Sequence, residues 1–334
     1  MKAFIINRYG KKAEGYISEM PTPVMGTNDV LVQIHAAGVN PLDSKIRDGE
    51  FKLLLPYPLP LILGHDMAGT IVETGASVKR FKVGDEVYAR PADHRIGTFA
   101  ELIAVNENDV AVKPKNLTME EAASVPLVAL TAWQVLVEKA ELKKGQKVLI
   151  HAGSGGVGIF AIQLAKHLGA KVATTTSSAN IELVKSLGAD IAIDYKKDDF
   201  EKVLSDDYDV VLNTLGADTL FKSLKVLKSG GRLISISGPP DPAFAKEAGL
   251  SWFLKIVMRL LSYRIRKKAQ CRKVNYSFVF MKANGAQLQQ ITNLIDSGVI
   301  RPVVERVFPF ELTKEAMAYL ETGRAKGKVV IKLQ

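Results

Sequence analysis

The chain of 334 residues is 47% apolar and 24% charged, which is typical of a soluble globular protein of about two domains. Its net charge of +10 permits contacts with nucleic acid, anionic lipid or a phosphorylated cofactor, whereas a single cysteine, Cys271, excludes a disulfide framework within the chain and a cysteine-cluster metal site. The N-terminus lacks the apolar segment of a signal peptide and no apolar run has membrane-spanning length, so we predict a cytoplasmic protein without integral membrane association.

Residues 1 to about 120 predict a β-rich domain, because short apolar runs alternate with turns that contain glycine. One strand is predicted to begin at residue 2, and the others are predicted at Val30–Ala36, Thr70–Glu73, Glu86–Ala89 and Phe99–Val105. The helix expected in this region is short and lies near Pro41–Asp48.

From residue 117 the pattern becomes helical and then alternates between strand and helix. Helices are predicted at 117–123, where Thr118 is a candidate N-cap, and at about 127–140. Strands follow near 147–151, 171–176, 190–194, 209–213, 232–237 and 276–280, and helices near 156–168, 179–187, 198–204 and 217–228, the last ended by Gly230 and Gly231. This alternation predicts an α/β fold with a doubly wound parallel sheet of the Rossmann type. The tail is predicted to add helices at 287–297 and 313–321 and strands at 303–304 and 329–333.

The segment Lys147–Gly169 combines a buried strand, a glycine-rich turn and a helix. Its glycines Gly153, Gly155 and Gly158 have the spacing G-x-G-x-x-G. In that arrangement the first glycine permits a tight turn, the second lets a pyrophosphate approach the backbone, and the third lets the helix pack close to the strand. The N-terminus of the helix attracts phosphate. The segment therefore predicts a dinucleotide site.

The strand after this helix favours NADPH over NADH. An enzyme that prefers NAD places an acidic residue about 20 positions after the glycines, where it binds the ribose 2′-hydroxyl. Residues 171–180 contain no Asp or Glu, and hydroxyl and amide side chains stand there instead, among them Thr176, Ser177 and Asn180. These groups can hydrogen bond a 2′-phosphate; alternatively, Ser177 and Ser178 cap the next helix, or they do both.

The glycine-rich segment also resembles the signature of the quinone oxidoreductase and zeta-crystallin group, medium-chain dehydrogenases/reductases that work without zinc. The residues that carry this resemblance are Gly145, Gln146, Leu149, Gly153-Ser154-Gly155-Gly156, Gly158, Gln163 and Lys166. Three further stretches are similar to the subgroup that reduces alkenals and enones, namely Phe51–Gly69, Arg80–Tyr88 and Leu183–Tyr195. The resemblance implies a GroES-like catalytic domain formed by residues 1–120 and 283–334, a Rossmann domain inserted at 121–282, and a homodimer.

A metal site is not predicted, although the motif Gly64-His65-Asp66-x-x-Gly69 resembles the G-H-E-x-x-G signature of zinc alcohol dehydrogenases. Those enzymes pair the histidine with two cysteine ligands. Here Asn40 stands in place of the first cysteine, and residues 126–133, Leu127 included, contain no cysteine for the second. Because a catalytic zinc needs about three protein ligands, we expect His65 to be a hydrogen-bonded, partly buried residue.

The segment Asn40-Pro41-x-Asp43-x-Lys45 resembles the N-x-x-D segment of the zinc-free reductases. Quinone oxidoreductases often have Tyr in place of Lys45, and Lys resembles the alkenal and enone subgroup, so the resemblance implies that Lys45 and Tyr195 lie near the cofactor. Asn40 and Lys45 are the candidate catalytic donors to a developing oxyanion, and a solvated Lys45 is the alternative. The predicted cofactor contacts are Gly153, Ser154, Gly155, Gly156, Val157, Gly158, Thr176, Ser177, Asn180, Tyr195, Leu215 and Ser237.

These features predict an NADPH-dependent, zinc-free oxidoreductase that transfers hydride to a quinone or to the C=C bond of an α,β-unsaturated carbonyl. Its predicted partner is this small electrophilic substrate. Two rivals are a zeta-crystallin-like protein that binds NADPH and RNA, and an alcohol dehydrogenase. The sequence contains no RNP or KH motif, so no nucleic acid partner is predicted, and the missing zinc ligands disfavour the alcohol dehydrogenase.

The segment Gly249–Lys273 has an apolar stripe in its first half and a strongly basic second half. This pattern is compatible with a helix that binds a membrane surface or a partner. It is also compatible with a helix packed over the active-site cleft or at a dimer seam, with cations at its favourable C-terminal end. We favour this second interpretation from the sequence.

Overall fold

The computed structural model describes residues 1–11 and 13–334, and the chain divides into two compact units. The first unit contains residues 1–130 and 282–334, and the second contains residues 131–281. The sequence placed the corresponding boundaries near residues 121 and 283.

The strands of the described residues are numbered in chain order. They are β1 Lys2–Ile6, β2 Tyr16–Glu19, β3 Asp29–Val39, β4 Leu61–Ile62, β5 Asp66–Thr74, β6 Glu86–Ala89, β7 Leu102–Asn106, β8 Val110–Val112, β9 Lys147–Ile150, β10 Lys171–Thr176, β11 Ile191–Asp194, β12 Tyr208–Asn213, β13 Leu227–Ser235, β14 Asn275–Phe278, β15 Val304–Pro309 and β16 Lys328–Lys332.

The α-helices are numbered in the same way. They are α1 Pro41–Asp48, α2 Met119–Ala123, α3 Pro126–Trp133, α4 Gly156–His167, α5 Ile181–Ser186, α6 Phe200–Val203, α7 Ala217–Ser223, α8 Pro242–Glu247, α9 Trp252–Leu261, α10 Tyr263–Cys271, α11 Gly285–Asp296 and α12 Thr313–Glu321. Among the described residues, no helix combines the length and the apolar character that crossing a bilayer requires.

The first unit is built on β3, a strand of 11 residues that pairs with β16, β5 and β7. All three pairings are antiparallel, and apolar side chains such as Val32, Ile34 and Ile71 fill the core beside this sheet. The pairing with β16 sets Val329 opposite Val39, so the last strand of the chain lies next to the residues that precede α1. This register positions the polar cluster described below.

The second unit contains a six-stranded parallel sheet in the order β11-β10-β9-β12-β13-β14. Counted from β9 as the first strand, this is the strand order 3-2-1-4-5-6 of a Rossmann fold, in which the order reverses between the first and fourth strands. The predicted α/β doubly wound sheet with a separate β-rich, GroES-like unit is confirmed. Ligands of such sheets bind outside the carboxyl ends of the strands at this reversal.

One predicted element boundary is wrong. The sequence ended a helix at Gly230 and Gly231, but α7 ends at Ser223 and both glycines lie inside β13. Gly230 has a φ of 83°, and the pairing of β12 with β13 shifts register in this region. A left-handed glycine serves a β-bulge as readily as a helix end, so the residue type alone did not distinguish the two.

Candidate functional site

The glycine-rich turn connects β9 to α4 at the carboxyl edge of the parallel sheet. Its backbone is held by two hydrogen bonds, from the Gly153 N–H to the Thr175 carbonyl (2.9 Å) and from the Gly155 N–H to the Ala152 carbonyl (2.9 Å). Ala152 adopts a φ of 52°, a conformation that a residue with a side chain rarely occupies. The turn therefore directs the unpaired N–H groups of the first turn of α4 toward this edge.

The three glycines of the motif have different physical reasons to lack a side chain. A Cβ on Gly153 would lie 2.1 Å from Thr174 Oγ1, and one on Gly158 would lie 2.4 Å from the Ala152 carbonyl oxygen, so the fold itself excludes both. A Cβ on Gly155 would meet only the Ala152 oxygen, at 3.3 Å, and the φ of −83° is ordinary. This single tight contact does not forbid a side chain at 155, so the backbone there forms an open cradle, and in dinucleotide sites the pyrophosphate approaches a backbone of this kind.

Three predicted cofactor residues from separate segments come together beside this cradle. Ser154 Oγ accepts hydrogen bonds from Thr176 Oγ1 and from Asn180 Nδ2, both at 3.0 Å. Asn180 is buried, and its Oδ1 has no partner in the protein. A buried acceptor without a partner is unfavourable unless a ligand donates to it, and a ribose hydroxyl is a donor of that kind.

The carboxylate of Asp194 already has hydrogen-bond partners within the protein. Asp194 ends β11, and its carboxylate accepts hydrogen bonds from Ser178 Oγ and from the Lys196 N–H, the latter at 3.1 Å. The bond from Ser178 is the main cause that lowers the pKa of Asp194. Ser177 does not cap the following turn with its side chain, so the capping role that the sequence allowed is not realised there. Tyr195 is exposed, and its N–H donates to the Thr176 carbonyl (3.1 Å).

The next two strand ends bring together two further predicted residues. The Leu215 carbonyl accepts hydrogen bonds from Ser237 Oγ (2.6 Å) and from Asn213 Nδ2 (2.8 Å). Asn213 was missed by the sequence reasoning, although an amide directly after the apolar run Val210–Leu212 was a usable signal. It is fully buried, and its Oδ1 has no partner in the protein. Two unpartnered amide oxygens, on Asn180 and Asn213, thus lie near the carboxyl edge of this sheet.

His151 is a second missed residue, and it holds the base of the turn. Its Nε2 lies 2.9 Å from Ser223 Oγ and its Nδ1 lies 3.1 Å from Thr175 Oγ1. Burial lowers the pKa of His151 to about 3. The ring is therefore neutral at physiological pH, and it positions the backbone rather than supplying a charge.

The first unit contains a buried polar cluster at the ends of β3 and β16. Asp66 Oδ2 accepts hydrogen bonds from Asn40 Nδ2 (2.9 Å) and from Lys328 Nζ (3.2 Å), and Asp66 Oδ1 accepts one from the Leu127 N–H (2.8 Å). Lys328 Nζ also donates to Asn40 Oδ1 at 2.5 Å. Burial raises the pKa of Asp66, while the charge of Lys328 and the hydrogen bonds from Asn40, Leu127 and Lys328 oppose that shift. Sequence reasoning missed Lys328, whose only signal was a lysine at the start of a strand with the apolar centre Val329–Ile331.

Asn40 is 1% exposed, and both donor positions of its amide are occupied. One N–H donates to Asp66 and the other to the Gly38 carbonyl at 3.3 Å. Its backbone N–H donates to Asp43 Oδ2 at 2.7 Å, which closes the first turn of α1. The amide therefore holds the entrance of α1 in place, and the donor role predicted for Asn40 would require one of these bonds to break.

Two further buried side chains extend the cluster. His65 Nδ1 lies 2.5 Å from Asp43 Oδ1, both residues are fully buried, and His65 Nε2 has no partner in the protein. Across residues 1–11 and 13–334, no group of three or more His, Cys, Asp or Glu side chains is arranged to hold a metal. The cation of this cluster is the ammonium of Lys328, which pairs with Asp66.

Lys45 lies on the exposed side of α1. The helix is fastened by its other residues, because Ser44 Oγ (2.6 Å) and Arg47 Nη1 (2.9 Å) both bind Glu321 Oε1 on α12. Lys45 is exposed, and its ammonium has no partner among the described residues. The ammonium of Lys45 is therefore carried by a helix that Glu321 of α12 holds in place, and it is available to bind a ligand.

Comparisons with known proteins agree with this architecture. Residues 26–115 match the alcohol dehydrogenase GroES-like domain, and residues 187–331 match a zinc-binding dehydrogenase domain. The chain is 36% identical to the mitochondrial NAD(P)H oxidoreductase RTN4IP1 of Danio rerio, over 100% of this chain and 91% of that protein. It is 38% identical to the chloroplastic NADPH-dependent alkenal/one oxidoreductase of Arabidopsis thaliana, over 99% of this chain and 79% of that protein.

A solved structure resembles the whole chain. The quinone oxidoreductase of Escherichia coli, crystallised in complex with NADPH, superposes with a TM-score of 0.82 at 25% identity, and the match covers 100% of both chains.

The predicted cytoplasmic location is wrong, because these relatives are named as mitochondrial and chloroplastic. The signals on which that prediction rested, the low cysteine content among them, bear on the secretory route. They do not distinguish the cytoplasm from the interior of an organelle.

Replacement of the two glycines should separate folding from cofactor binding. We expect Gly158→Ala to lower the melting temperature, because its Cβ would collide with backbone atoms. Gly155→Ala should melt close to the wild type but bind NADPH at least about tenfold more weakly. Differential scanning fluorimetry and a fluorescence titration with NADPH measure the two effects. Wild-type NADPH affinity in Gly155→Ala would show that the turn holds no pyrophosphate.

Removal of the buried ammonium should destabilise the first unit. Lys328→Met would leave the Asp66 carboxylate buried without its cation, which typically costs about 3–5 kcal/mol. We expect a large fall in melting temperature, with partial recovery in Lys328→Met/Asp66→Asn, where neither charge is present. Thermal unfolding of the two single variants and the double variant measures the coupling. Additive losses would mean that Lys328 and Asp66 do not act as a pair.

Proposed function

The chain belongs to the zinc-independent quinone oxidoreductase family of medium-chain dehydrogenases/reductases, and from that membership we propose that it uses NADPH to reduce quinones or the C=C bond of α,β-unsaturated carbonyls. The two substrate classes share one electronic property. In both, a hydride adds to a conjugated system and negative charge collects on an oxygen.

The open cradle at Gly155 is the observation that carries the proposal. We propose that the turn and the start of α4 hold the pyrophosphate, and that Ser154, Thr176 and Asn180 hold the adenosine ribose with its 2′-phosphate. Ser177 offers a hydroxyl that does not cap the next turn, and Asp194 is engaged by its own neighbours. A 2′-phosphate would meet hydroxyl and amide groups here, which supports NADPH over NADH.

When bound, the nicotinamide supplies the hydride, and the residues of the chain must supply orientation and charge. We propose that the exposed ammonium of Lys45 stabilises the oxygen that gains charge, because a charged donor stabilises developing negative charge more strongly than a neutral one. Asn40 is proposed as a positioning residue, since its amide is used to hold the first turn of α1. Tyr195 is proposed as a cofactor contact.

The proposed reaction works without zinc. The buried ammonium of Lys328 takes the role of an internal cation, and it balances the carboxylate of Asp66. A second cation in this cluster would be repelled by that ammonium, and Asn40 and Leu127 offer no thiolate ligands.

A substrate panel tests the proposed function. The protein is dialysed against a chelator, and the oxidation of NADPH and of NADH is followed with quinones, alkenals, enones and simple ketones. We expect turnover of one or more conjugated electrophiles, no turnover of simple ketones, and a clearly higher kcat/KM with NADPH. Loss of activity on chelation that is restored by zinc would contradict the proposal, as would equal or better use of NADH.

Replacement of Lys45 tests its role in that reaction. Lys45→Met removes the charge but keeps most of the stem, so the melting temperature should not change. A charged donor of this kind is worth about 1.5–3 kcal/mol, which corresponds to a fall in kcat/KM of at least about tenfold. Lys79→Met, at another exposed lysine of the first unit, is the matched control.

A fall in kcat would assign Lys45 to the developing oxyanion, and a fall in NADPH affinity would assign it to the cofactor. Wild-type values for both would identify Lys45 as a solvated helix residue.

A further inference from the structure

Helix α9 exposes an apolar face. The exposed fractions are 75% for Trp252, 61% for Phe253, 49% for Ile256, 69% for Leu260 and 57% for Leu261. Trp252, Ile256 and Leu260 recur at intervals of four residues, so they lie along one side of the helix. On the side that packs against the protein, Met258 is buried. A contiguous face of this kind on a folded protein marks a surface that contacts something other than water.

Cations border this face, and carboxylates are absent from the segment. Between Ala248 and Ile295 the sequence contains no Asp or Glu. Lys255 and Arg259 are exposed on α9, one helical turn apart, and Arg266 donates to the Arg259 carbonyl at the C-terminal end of that helix (3.1 Å). The apolar face is therefore edged by positive charge without a compensating acid on its own helix.

Helix α10 continues the positive surface. It follows α9 after the single buried residue Ser262, and it lines a groove of about 620 Å³ against the end of α7. The Nζ of Lys268 lies 4.5 Å from the centre of the Phe221 ring, which orients that lysine over the groove. The cations that line the groove are Lys225, Arg264, Lys267, Lys268 and Arg272.

We propose that α9 and α10 form a docking surface for an anionic phospholipid membrane. The apolar side chains of α9 would enter the boundary between headgroups and acyl chains, and the cations of α9 and α10 would bind lipid phosphates. Aromatic and leucine side chains edged by Lys and Arg are the composition of helices that lie in the plane of a membrane interface. This surface is independent of the proposed hydride transfer.

The charge distribution favours a membrane over the other partners that the sequence allowed. A two-fold contact between copies of this chain would set the same face against itself, so the cations of α9 and α10 would oppose one another, and neither helix contains a carboxylate. A nucleic acid would satisfy the cations but would leave Trp252, Phe253 and Leu260 in water. Of these three partners, the anionic bilayer is the one that satisfies both halves of the surface.

Tryptophan fluorescence offers a direct test, because the chain contains two tryptophans, Trp133 and Trp252. Trp133→Phe leaves Trp252 as the only reporter, and Trp252→Phe leaves Trp133 as the control. The full-length variants are titrated with vesicles of phosphatidylcholine alone or mixed with phosphatidylglycerol. We expect a blue shift of Trp252, and flotation of the protein, with the anionic vesicles only, and a loss of both at high salt.

A second pair of variants locates the contact. Phe253→Ser/Leu260→Ser should weaken binding to anionic vesicles at least about tenfold. The control Leu53→Ser/Val83→Ser, at exposed apolar residues of the first unit, should bind as the wild type does.

No shift and no flotation would overturn the proposal. A lipid-free blue shift that grows with protein concentration, together with a dimer in sedimentation that the Phe253→Ser/Leu260→Ser variant abolishes, would assign the face to a second copy and would also overturn it. Binding that survives both serine substitutions would place the membrane contact elsewhere.

Discussion

The buried carboxylate of Asp66 is the constraint on which the candidate site of the first unit depends. A charge removed from water must be matched by donors and by an opposite charge, and here these come from Asn40, Leu127 and Lys328. These residues lie on separate segments, so the requirement of one carboxylate fixes the end of β3, the start of α3 and the last strand relative to each other. The position of α1 is fixed by the same cluster, because Asn40 is the N-cap of that helix.

The two units differ in the polar groups that they leave without partners in the protein. The first unit carries its own cation inside the fold and leaves Lys45 free at the surface. The second unit leaves acceptors and helix N–H groups without partners at the carboxyl edge of its sheet, on Asn180, Asn213 and the start of α4. A structure that keeps unsatisfied groups in this way incurs a cost in stability that a ligand can recover.

The features that the sequence predicted well are those with a local signal. The alternation of strand and helix, the capping residue Thr118 and the glycines at 153, 155 and 158 all act within a few positions of themselves. The features that it missed depend on distant partners. Lys328 donates a hydrogen bond to Asn40, which lies 288 positions away in the chain, and no pattern near either residue predicts that contact. Gly230 was misread because a bulge and a helix end require the same left-handed backbone.

The place of Lys328 in the chain has a consequence for synthesis on the ribosome. The second unit is one continuous segment, residues 131–281, and all six strands of its sheet are present once that segment has emerged. The first unit is interrupted, and the ammonium that neutralises Asp66 arrives with β16, after the whole second unit. During synthesis the second unit can therefore fold before β16 has emerged, whereas residues 1–130 still lack the cation that neutralises Asp66. Chaperones would encounter residues 1–130 in this incomplete state.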